Sequence, residues 1–406
     1  MTSAAAAGGA GPAAGSSLMA TYAPADVCFV EGSGARLVDD AGRSYLDFLS
    51  GLAVTSLGHA HPAVRDALCT QAGRLLHVSN LFRNELAEEV AARLDRLVGD
   101  GMAAGGKVFF ANSGAEANEC AIKLARRFGG HGRYAVVSAY GSFHGRTLAT
   151  LHATGQPSKH EPFAPLPEGF RHAEYGSPEA IAEAADPGVV AAVLVEAIQG
   201  EAGVVVPPPG YLRELRALCD ERGLLLILDE VQTGLGRTGR WFAFQHEGIA
   251  PDVVTVAKAL GNGVPVGACW ARAEVAEVFV PGDHGSTFGG QPLALSAARA
   301  TLETMVAIDA PRLAADAGAR LKGALVALDG VASVRGSGLL LGVLLEEGID
   351  SPAVAREALR RGLVVNAPAP GVIRLAPPLV VSAGECDEAV GILGEAIGAE
   401  RVAVGS

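Results

Sequence analysis

The stretch "GLLLILDEVQTG", from Gly223 to Gly234, decides the fold. Its unbroken apolar run, Leu224 to Leu228, predicts a strand that is buried on both faces, as the strands of parallel sheets are. Two carboxylates, Asp229 and Glu230, follow the run directly. Burial of an ionised carboxylate without a partner costs several kcal/mol. The end of this strand therefore needs either water or a cationic partner.

Further apolar segments on both sides repeat the same strand pattern. They are KVFFAN (107–112), RYAVVSA (133–139), VVAAVLVEAI (189–198), PDVVTVAK (251–258) and GACWAR (267–272). Helical patterns of apolar residues cover 62–76, 85–98, 113–128 and 211–222. The alternation predicts an α/β fold with a mostly parallel sheet covered on both faces. In such a sheet, ligands bind beyond the carboxyl ends of the strands.

The length of 406 residues suits two or three domains. The low-complexity start, "MTSAAAAGGAGPAAGSS", lacks the basic region and apolar core of a signal peptide. We expect residues 1–17 to be a disordered tail, residues 18–60 to join a smaller domain, and residues 61–302 to form a large ligand-binding domain. The pattern changes after about residue 302, and residues 303–406 predict a smaller α+β domain.

Composition argues against several classes of protein. The net charge of −12, with no basic run, disfavours nucleic-acid binding. No apolar stretch approaches the roughly 20 residues that a membrane helix needs. The six cysteines are scattered without a CxxC pair, which favours a reducing cytoplasm. The ten histidines form no recognisable metal motif, so we expect no metal.

Among the five lysines of the chain, only Lys258 directly follows a buried type of strand. Partial desolvation at that place disfavours the ammonium and favours a reactive amine. The alternative is a lysine that ends a strand and reaches solvent. Lys258 is therefore a candidate nucleophile.

Two more strand ends carry candidate ligand groups. Ser113 and Glu116 fit a capping box, and the small residues that follow Ser113 leave the first turn of the helix open to an anion such as phosphate. "YGSFHGRT" (140–147) offers the ring of Phe143 for stacking and Arg146 for a carboxylate. An ordinary helix cap, a core phenylalanine and a surface arginine are the alternatives. "HGSTFGGQP" (284–292) adds two hydroxyls in a glycine-rich turn.

One ligand would use all these groups. It carries a phosphate, a flat ring with a basic nitrogen, and an aldehyde that captures an amine, and pyridoxal phosphate has these features. This interpretation also explains the carboxylate at the end of the buried strand. The partner of Asp229 would be the protonated ring nitrogen, which keeps the ring cationic and able to withdraw electrons.

The chain resembles the class III, ornithine-type, pyridoxal-phosphate aminotransferases. The matching segments run from about residue 21 to about residue 380: TYAPA, YLDFLSGLAVTSLGHAHPAV, HVSNLF, NSGAEANECAIKLAR, FHGRT, LDEVQTGLGRTG, PDVVTVAKALG, HGSTFGG and VIRLAPPLV. The resemblance implies the type I pyridoxal-phosphate aminotransferase fold, with a large domain on a mostly parallel sheet and a smaller α+β domain. It also implies a homodimer with shared active sites.

The resemblance assigns roles to individual residues. Lys258 would link covalently to the cofactor aldehyde, and Asp229 would pair with the ring nitrogen. The cofactor contacts it implies are Ser113, Gly114, Ala115, Phe143, Asp229, Gln232, Lys258 and, from the neighbouring subunit, Thr287. Substrate contacts would come from Arg146, Glu201, Ser286 and Arg374. Arg374 would receive the α-carboxylate of glutamate or 2-oxoglutarate, and Glu201 would mask Arg374 when the amine donor binds.

The motifs are most similar to those of the branch of the family that acts on N-acetylornithine in arginine biosynthesis. The expected reaction moves the terminal amine of N-acetylornithine to 2-oxoglutarate and gives N-acetylglutamate 5-semialdehyde and glutamate. The alternatives are another amine (ornithine, 4-aminobutyrate, succinylornithine or a carrier-bound lysine) or, in a different class, a cofactor-binding regulator without turnover. The chain departs from the family pattern at Ala197, Ala202, Asn262 and Gln291.

Overall fold

The structure, a computed structural model, describes residues 17–99 and 105–404. The predicted disordered tail, apart from its last residue, lies outside the described residues. The strands are β1 (Phe29–Ser33), β2 (Arg36–Asp39), β3 (Ser44–Asp47), β4 (Lys107–Ala111), β5 (Ala135–Ala139), β6 (Phe170–Ala173), β7 (Val190–Glu196), β8 (Leu225–Asp229), β9 (Val253–Val256), β10 (Gly267–Ala271), β11 (Val331–Ser337), β12 (Leu340–Leu345), β13 (Leu363–Val364), β14 (Asn366–Ala369) and β15 (Val372–Leu375).

Helices separate most of these strands. They are α1 (Ser50–Ala53), α2 (Pro62–Ala72), α3 (Glu85–Val98), α4 (Gly114–Gly129), α5 (Leu148–Ala153), α6 (Pro178–Ala184), α7 (Tyr211–Arg222), α8 (Ala273–Ala276), α9 (Pro292–Ala307), α10 (Ala310–Leu325), α11 (Ser351–Arg360) and α12 (Ala383–Val404). Across the described residues, we find no helix whose length and apolar character would let it cross a membrane.

The central sheet has seven strands in the order β4-β10-β9-β8-β7-β5-β6. The strands from β9 to β6 are all parallel, whereas β10 runs antiparallel to both β9 and β4. Because β10 reverses direction between them, β4 and β9 point the same way. The carboxyl ends of six strands therefore meet at one edge of the sheet. The predicted α/β fold with a mostly parallel sheet is confirmed.

The middle strands of this sheet show why their sequences are so apolar. Every residue of β7 and β8 is buried, since helices cover both faces of the sheet. The end of α7 is marked by Gly223, whose φ of 60° closes the helix in the left-handed conformation. Helix α2 ends at Ala72, four residues before the predicted end, because Gly73 caps it there.

Two smaller sheets flank the central one, in the orders β1-β2-β3-β13 and β11-β12-β15-β14. Strand β3 pairs in parallel with β13, with Leu46 opposite Leu363, so residues near the start of the chain lie beside residues near its end. Helix α9 runs through the predicted domain limit between residues 302 and 303, where Leu302 and Met305 are buried. The limits of the domains stay a prediction.

Candidate active site

A cavity of about 440 Å³ lies at the carboxyl edge of the central sheet. Its volume falls in the range of small-molecule sites. The walls come from the segments that follow β4, β5, β7, β8 and β9, which is where an open α/β sheet places its ligands. Of the predicted site residues, nine line it: Ser113, Gly114, Ala115, Phe143, Arg146, Glu201, Asp229, Gln232 and Lys258.

The start of α4 forms one wall. Ser113 caps the helix, and its Oγ accepts from the N–H of Glu116 at 3.2 Å. The other half of the predicted capping box is displaced by one residue, because the carboxylate of Glu116 accepts from the N–H of Asn112 at 2.7 Å. A Cβ at Gly114 would lie 2.9 Å from a methyl of Val231, so this turn needs glycine. The open first turn of a 16-residue helix suits an anion.

Asp229 is buried, with 4 % of its surface exposed, and it is held by several donors. Its Oδ2 lies 2.8 Å from Nδ1 of His144 and accepts from Nδ2 of Asn118 at 2.8 Å. The N–H of Val231 donates to the other oxygen at 3.1 Å. Asn118 is fixed in turn, because the hydroxyl of Thr255 donates to its oxygen at 2.7 Å. The strand therefore ends in a carboxylate whose direction is fixed by its neighbours.

The second carboxylate of the opening stretch has a structural role. Glu230 is 1 % exposed and accepts from the hydroxyl of Thr233 and, at 3.0 Å, from the N–H of Phe244. Burial raises its pKa to about 7. The two carboxylates that follow the buried strand therefore have different roles. Asp229 faces the cavity, and Glu230 closes the turn behind it.

Lys258 follows β9 and is only partly exposed. Its φ of 44° is in the left-handed region, which a side-chain-bearing residue rarely adopts. Burial is the main cause that lowers the pKa of its amine, and Arg374 acts in the same direction, whereas Glu201 opposes it. Its Nζ has no hydrogen bond or ion pair with any residue in the described ranges. The strained backbone thus presents an amine of lowered basicity to the cavity.

The loop after β5 provides an aromatic ring and a cation. Phe143 and Arg146 both line the cavity, and the guanidinium carbon of Arg146 lies 5.5 Å from the centre of the Phe143 ring. No carboxylate in the described part of the chain pairs with Arg146. This arginine is therefore available to an acidic ligand.

Arg374 and Glu201 meet beside the cavity. Arg374 is 1 % exposed, and its Nη1 donates to Oε1 of Glu201 at 2.5 Å and to Oε1 of Gln232 at 3.2 Å. Its Nη2 is buried and has no partner among the residues described. A Cβ at Gly200 would lie 1.8 Å from Oε1 of Gln232, so a larger residue there would displace this amide from Arg374. Burial would raise the pKa of Glu201, but Arg374 and Lys258 outweigh it and lower that pKa.

Ser286 and Thr287 lie outside this cavity. The Oγ of Ser286 accepts from Nδ2 of Asn112 at 3.3 Å, next to the start of α4, and Thr287 is exposed. Neither residue therefore joins the nine predicted residues that line the cavity. Ser286 lies at the rim of the cavity, and the side chain of Thr287 is exposed.

Two of the four departures from the family pattern have contacts that explain their side chains. Asn262 has φ of 45°, and its amide binds the backbone of Leu57 and Gly58 at 2.8 and 3.1 Å. Gln291 accepts from the N–H of Val78 at 3.3 Å and donates to the carbonyl of Thr287 at 2.9 Å. Nothing in the structure explains Ala197 and Ala202.

Sequence reasoning missed several residues of the cavity wall, among them Val54, Asn118, His144 and Glu196. His144 stands in the quoted "YGSFHGRT" segment, and Glu196 ends a strand, so the strand-end argument could have found both. Val54 follows α1, which is a left-handed turn because Ser50, Gly51, Leu52 and Ala53 have φ of 51, 60, 70 and 64°. No local pattern predicts that turn.

Comparison with known proteins agrees with this geometry. The family Aminotransferase class-III matches residues 19–397. The acetylornithine aminotransferase of Corynebacterium efficiens is 48% identical over 381 residues, which cover 92% of this chain and 93% of that protein. The acetylornithine aminotransferase of Methanopyrus kandleri is 50% identical over 380 residues, which cover 93% and 96%.

Solved structures show the same fold. An ornithine aminotransferase from Toxoplasma gondii, reported with partial occupancy of pyridoxal phosphate at its active site, has a TM-score of 0.90 at 34% identity and covers 96% of this chain and 94% of its own. The N-acetylornithine aminotransferase of Stenotrophomonas maltophilia has a TM-score of 0.81 at 34% identity, with 94% and 98% covered. From its sequence, its fold and the arrangement of its cavity, this chain belongs to the class III aminotransferases.

Proposed function

We propose that this aminotransferase binds pyridoxal phosphate in the cavity at the sheet edge and moves the terminal amine of N-acetylornithine to 2-oxoglutarate. The products are N-acetylglutamate 5-semialdehyde and glutamate, as in arginine biosynthesis. The observation that carries the proposal is the placement of Lys258, Asp229 and the start of α4 around one cavity, with Glu201, the ion-pair partner of Arg374, in its wall.

The residues present fit this cofactor. The start of α4 suits the phosphate, and the buried carboxylate of Asp229 suits a protonated ring nitrogen. The amine of Lys258 suits the aldehyde. Two buried polar atoms at the cavity, Nε2 of His144 and Oε2 of Glu196, have no partner among the described residues, as expected where a polar ligand completes the site.

Bound pyridoxal phosphate supplies an electron sink for the carbanion that forms at the substrate carbon. Lys258 would hold the cofactor through its Nζ, and the same amine, when free, would move a proton at the substrate carbon. The lowered pKa of Lys258 favours the free amine that this step needs. Asp229 keeps the ring nitrogen protonated, and His144 and Asn118 hold Asp229 in position.

The pair of Arg374 and Glu201 accounts for two substrates in one site. An unmasked Arg374 would bind the α-carboxylate of any amino acid and present the α-amine for reaction. With Glu201 bound to it, Arg374 is neutralised, and the terminal amine of the donor would reach the cofactor instead. Arg146, which has no carboxylate partner among the described residues, would then bind the α-carboxylate of the donor.

The amine substrate is inferred from the relatives. Proteins named acetylornithine aminotransferase are 48% and 50% identical over more than nine-tenths of this chain. The second candidate is ornithine, which is favoured by the TM-score of 0.90 to the ornithine aminotransferase of Toxoplasma gondii.

A panel of amines separates these candidates. The purified protein with pyridoxal phosphate is mixed with N-acetylornithine, ornithine, succinylornithine or 4-aminobutyrate, each with 2-oxoglutarate, and glutamate formation is followed. We expect the highest kcat/KM with N-acetylornithine. A higher value with ornithine would establish the second candidate, and no turnover with any amine would contradict the proposal.

We also propose a homodimer in which Thr287 of one subunit reaches the cofactor phosphate of the other. Thr287 is exposed, and so are three large apolar residues: its neighbour Phe288 (63 % exposed), Leu81 (87 %) and Phe82 (67 %). Exposed large apolar residues of this kind suit a protein interface.

We place the enzyme in the cytoplasm, which fits six unpaired cysteines, all within the described residues.

A further inference from the structure

Glu196 lies at the end of β7, directly beside Asp229 in the parallel register of β7 and β8. It is 8 % exposed and lines the cavity. A carboxylate oxygen of Glu196, one of Asp229 and a ring nitrogen of His144 all lie within 4.8 Å of one another. Two buried carboxyl groups at this distance cannot both ionise at low cost, since like charges repel strongly where water is excluded.

The two carboxyl groups receive very different support. Asp229 accepts hydrogen bonds from Asn118 and Val231 and faces Nδ1 of His144. Oε1 of Glu196 accepts one hydrogen bond, from the N–H of Phe143 at 2.9 Å, and Oε2 is buried without a partner among the described residues. Hydrogen bonds to a carboxylate favour its charged form. The negative charge therefore belongs on Asp229, and the proton on Glu196.

The surrounding charges agree with this division. Burial is the main cause that raises the pKa of Glu196 well above its ordinary value, and Asp229 raises it further. Glu201 acts in the same direction, whereas the amine of Lys258 opposes it. The Phe143 N–H also favours the charged form, but this single donor does not overcome the burial.

We propose that Glu196 is a positioning residue that stays neutral: Oε1 holds the backbone of Phe143, and the O–H at Oε2 donates a hydrogen bond to the bound cofactor. This proposal rests on the proposed cofactor. A carboxylic acid kept neutral by an apolar site is an established way to place a hydrogen-bond donor. Glu196 would thereby connect the ring of Phe143 and the edge of the cofactor beside Asp229.

The first test compares Glu196→Gln with Glu196→Leu. Glutamine keeps the size, the neutral charge, an acceptor for the Phe143 N–H and a donor for the cofactor, whereas leucine keeps the size alone. Titration of the apo-protein with pyridoxal phosphate, followed by absorbance, should give a Kd for E196Q within about threefold of the wild type and a Kd for E196L weaker by about tenfold or more. Equal weakening of both variants would show that the charge matters and would overturn the proposal, as would an E196L variant that binds as tightly as the wild type.

The second test needs neither cofactor nor substrate, so it stands if the proposed reaction is wrong. A group whose pKa is higher in the folded than in the unfolded protein takes up a proton on folding, so its contribution to stability falls as pH rises above its unfolded pKa. The midpoint of thermal unfolding of apo wild type should therefore fall relative to apo E196Q as pH rises above the ordinary range of glutamate. Curves that stay parallel, or an E196Q protein that does not fold, would contradict a neutral Glu196.

Discussion

Nη1 of Arg374 lies 2.5 Å from Oε1 of Glu201, although the two residues are 173 positions apart in the chain. Arg374 is contributed by β15 and Glu201 by the turn after β7, so the contact joins the sheet that carries the cavity to a separate, smaller sheet. The pair places a masked cation beside the cavity, behind Glu201, which lines the wall. A ligand whose carboxylate competes with Glu201 can bind this cation, and a ligand without one leaves it masked.

Glu201→Gln should shift substrate preference toward glutamate. The neutral amide no longer offsets the charge of Arg374, so α-carboxylates compete more strongly and present the α-amine. A charged hydrogen bond contributes about 1.5–3 kcal/mol, so the ratio of kcat/KM for N-acetylornithine to that for glutamate should fall about tenfold to a hundredfold. Half-reaction rates measure this ratio. The control is Glu221→Gln, an exposed change on α7. If the ratio of the two kcat/KM values is unchanged in Glu201→Gln, Glu201 does not mask Arg374.

Mixing two impaired variants tests the shared site. In a heterodimer of Lys258→Ala and Thr287→Ala subunits, one site combines both changes and the other has wild-type residues from each subunit. Each variant alone should have low activity at limiting pyridoxal phosphate, and a mixture that has exchanged subunits should recover activity. Lys322→Ala, an exposed change on α10, replaces Lys258→Ala in the control mixture. Absence of recovery after verified exchange would argue against a contribution of Thr287 across the interface.

Glu230 should make stability depend on pH. Its pKa is raised from 4.5 to about 7 by burial, so the folded protein binds the extra proton. The contribution of this group to stability is complete below pH 4.5 and is lost as pH rises toward about 7, by up to about 3 kcal/mol. Glu230→Gln should flatten this part of the curve of unfolding free energy against pH, measured with urea. If the variant and the wild type lose stability in parallel, Glu230 does not carry the proton.

Asn262→Gly tests a departure from the family pattern. The change removes two hydrogen bonds, to Leu57 and Gly58, and it also relieves the left-handed backbone of Asn262. The loss should exceed the gain, so the variant should be less stable by about 1 kcal/mol in urea unfolding. Asn262→Ala loses the same hydrogen bonds and keeps the strain of the left-handed backbone, so it should be less stable than Asn262→Gly. A glycine variant more stable than the wild type would show that the amide contacts contribute little.

The bounds of helices and the ends of strands depend on neighbouring residues in the chain, so the sequence pattern predicted them. The bounds of α3 and α7 agree with the predicted ranges 85–98 and 211–222, because apolar spacing and the glycines Gly99 and Gly223 mark them. The strand ends at Asp229 and Lys258 stood out because charge follows an apolar run. The class III family and its mostly parallel sheet were also predicted correctly.

Contacts between residues that lie far apart in the chain could not be predicted from local sequence patterns. Asn118 reaches Asp229 across 111 positions, and nothing in the helical pattern of α4 distinguishes it from another polar residue. The antiparallel direction of β10 leaves no trace in the sequence of "GACWAR". The left-handed turn at Ser50–Ala53 contradicts the preference of three of its four residues, and only its surroundings can hold it.

The most direct measurement of the central claim is to find where the cofactor is attached. Borohydride reduction of the protein with bound pyridoxal phosphate, followed by proteolysis and mass spectrometry, reports which of the five lysines carries the pyridoxyl group. We predict that Lys258 alone is modified and that Asp229→Ala greatly weakens cofactor binding without moving the site of attachment. Modification of Lys107, Lys123, Lys159 or Lys322 instead, or of no lysine, would contradict it.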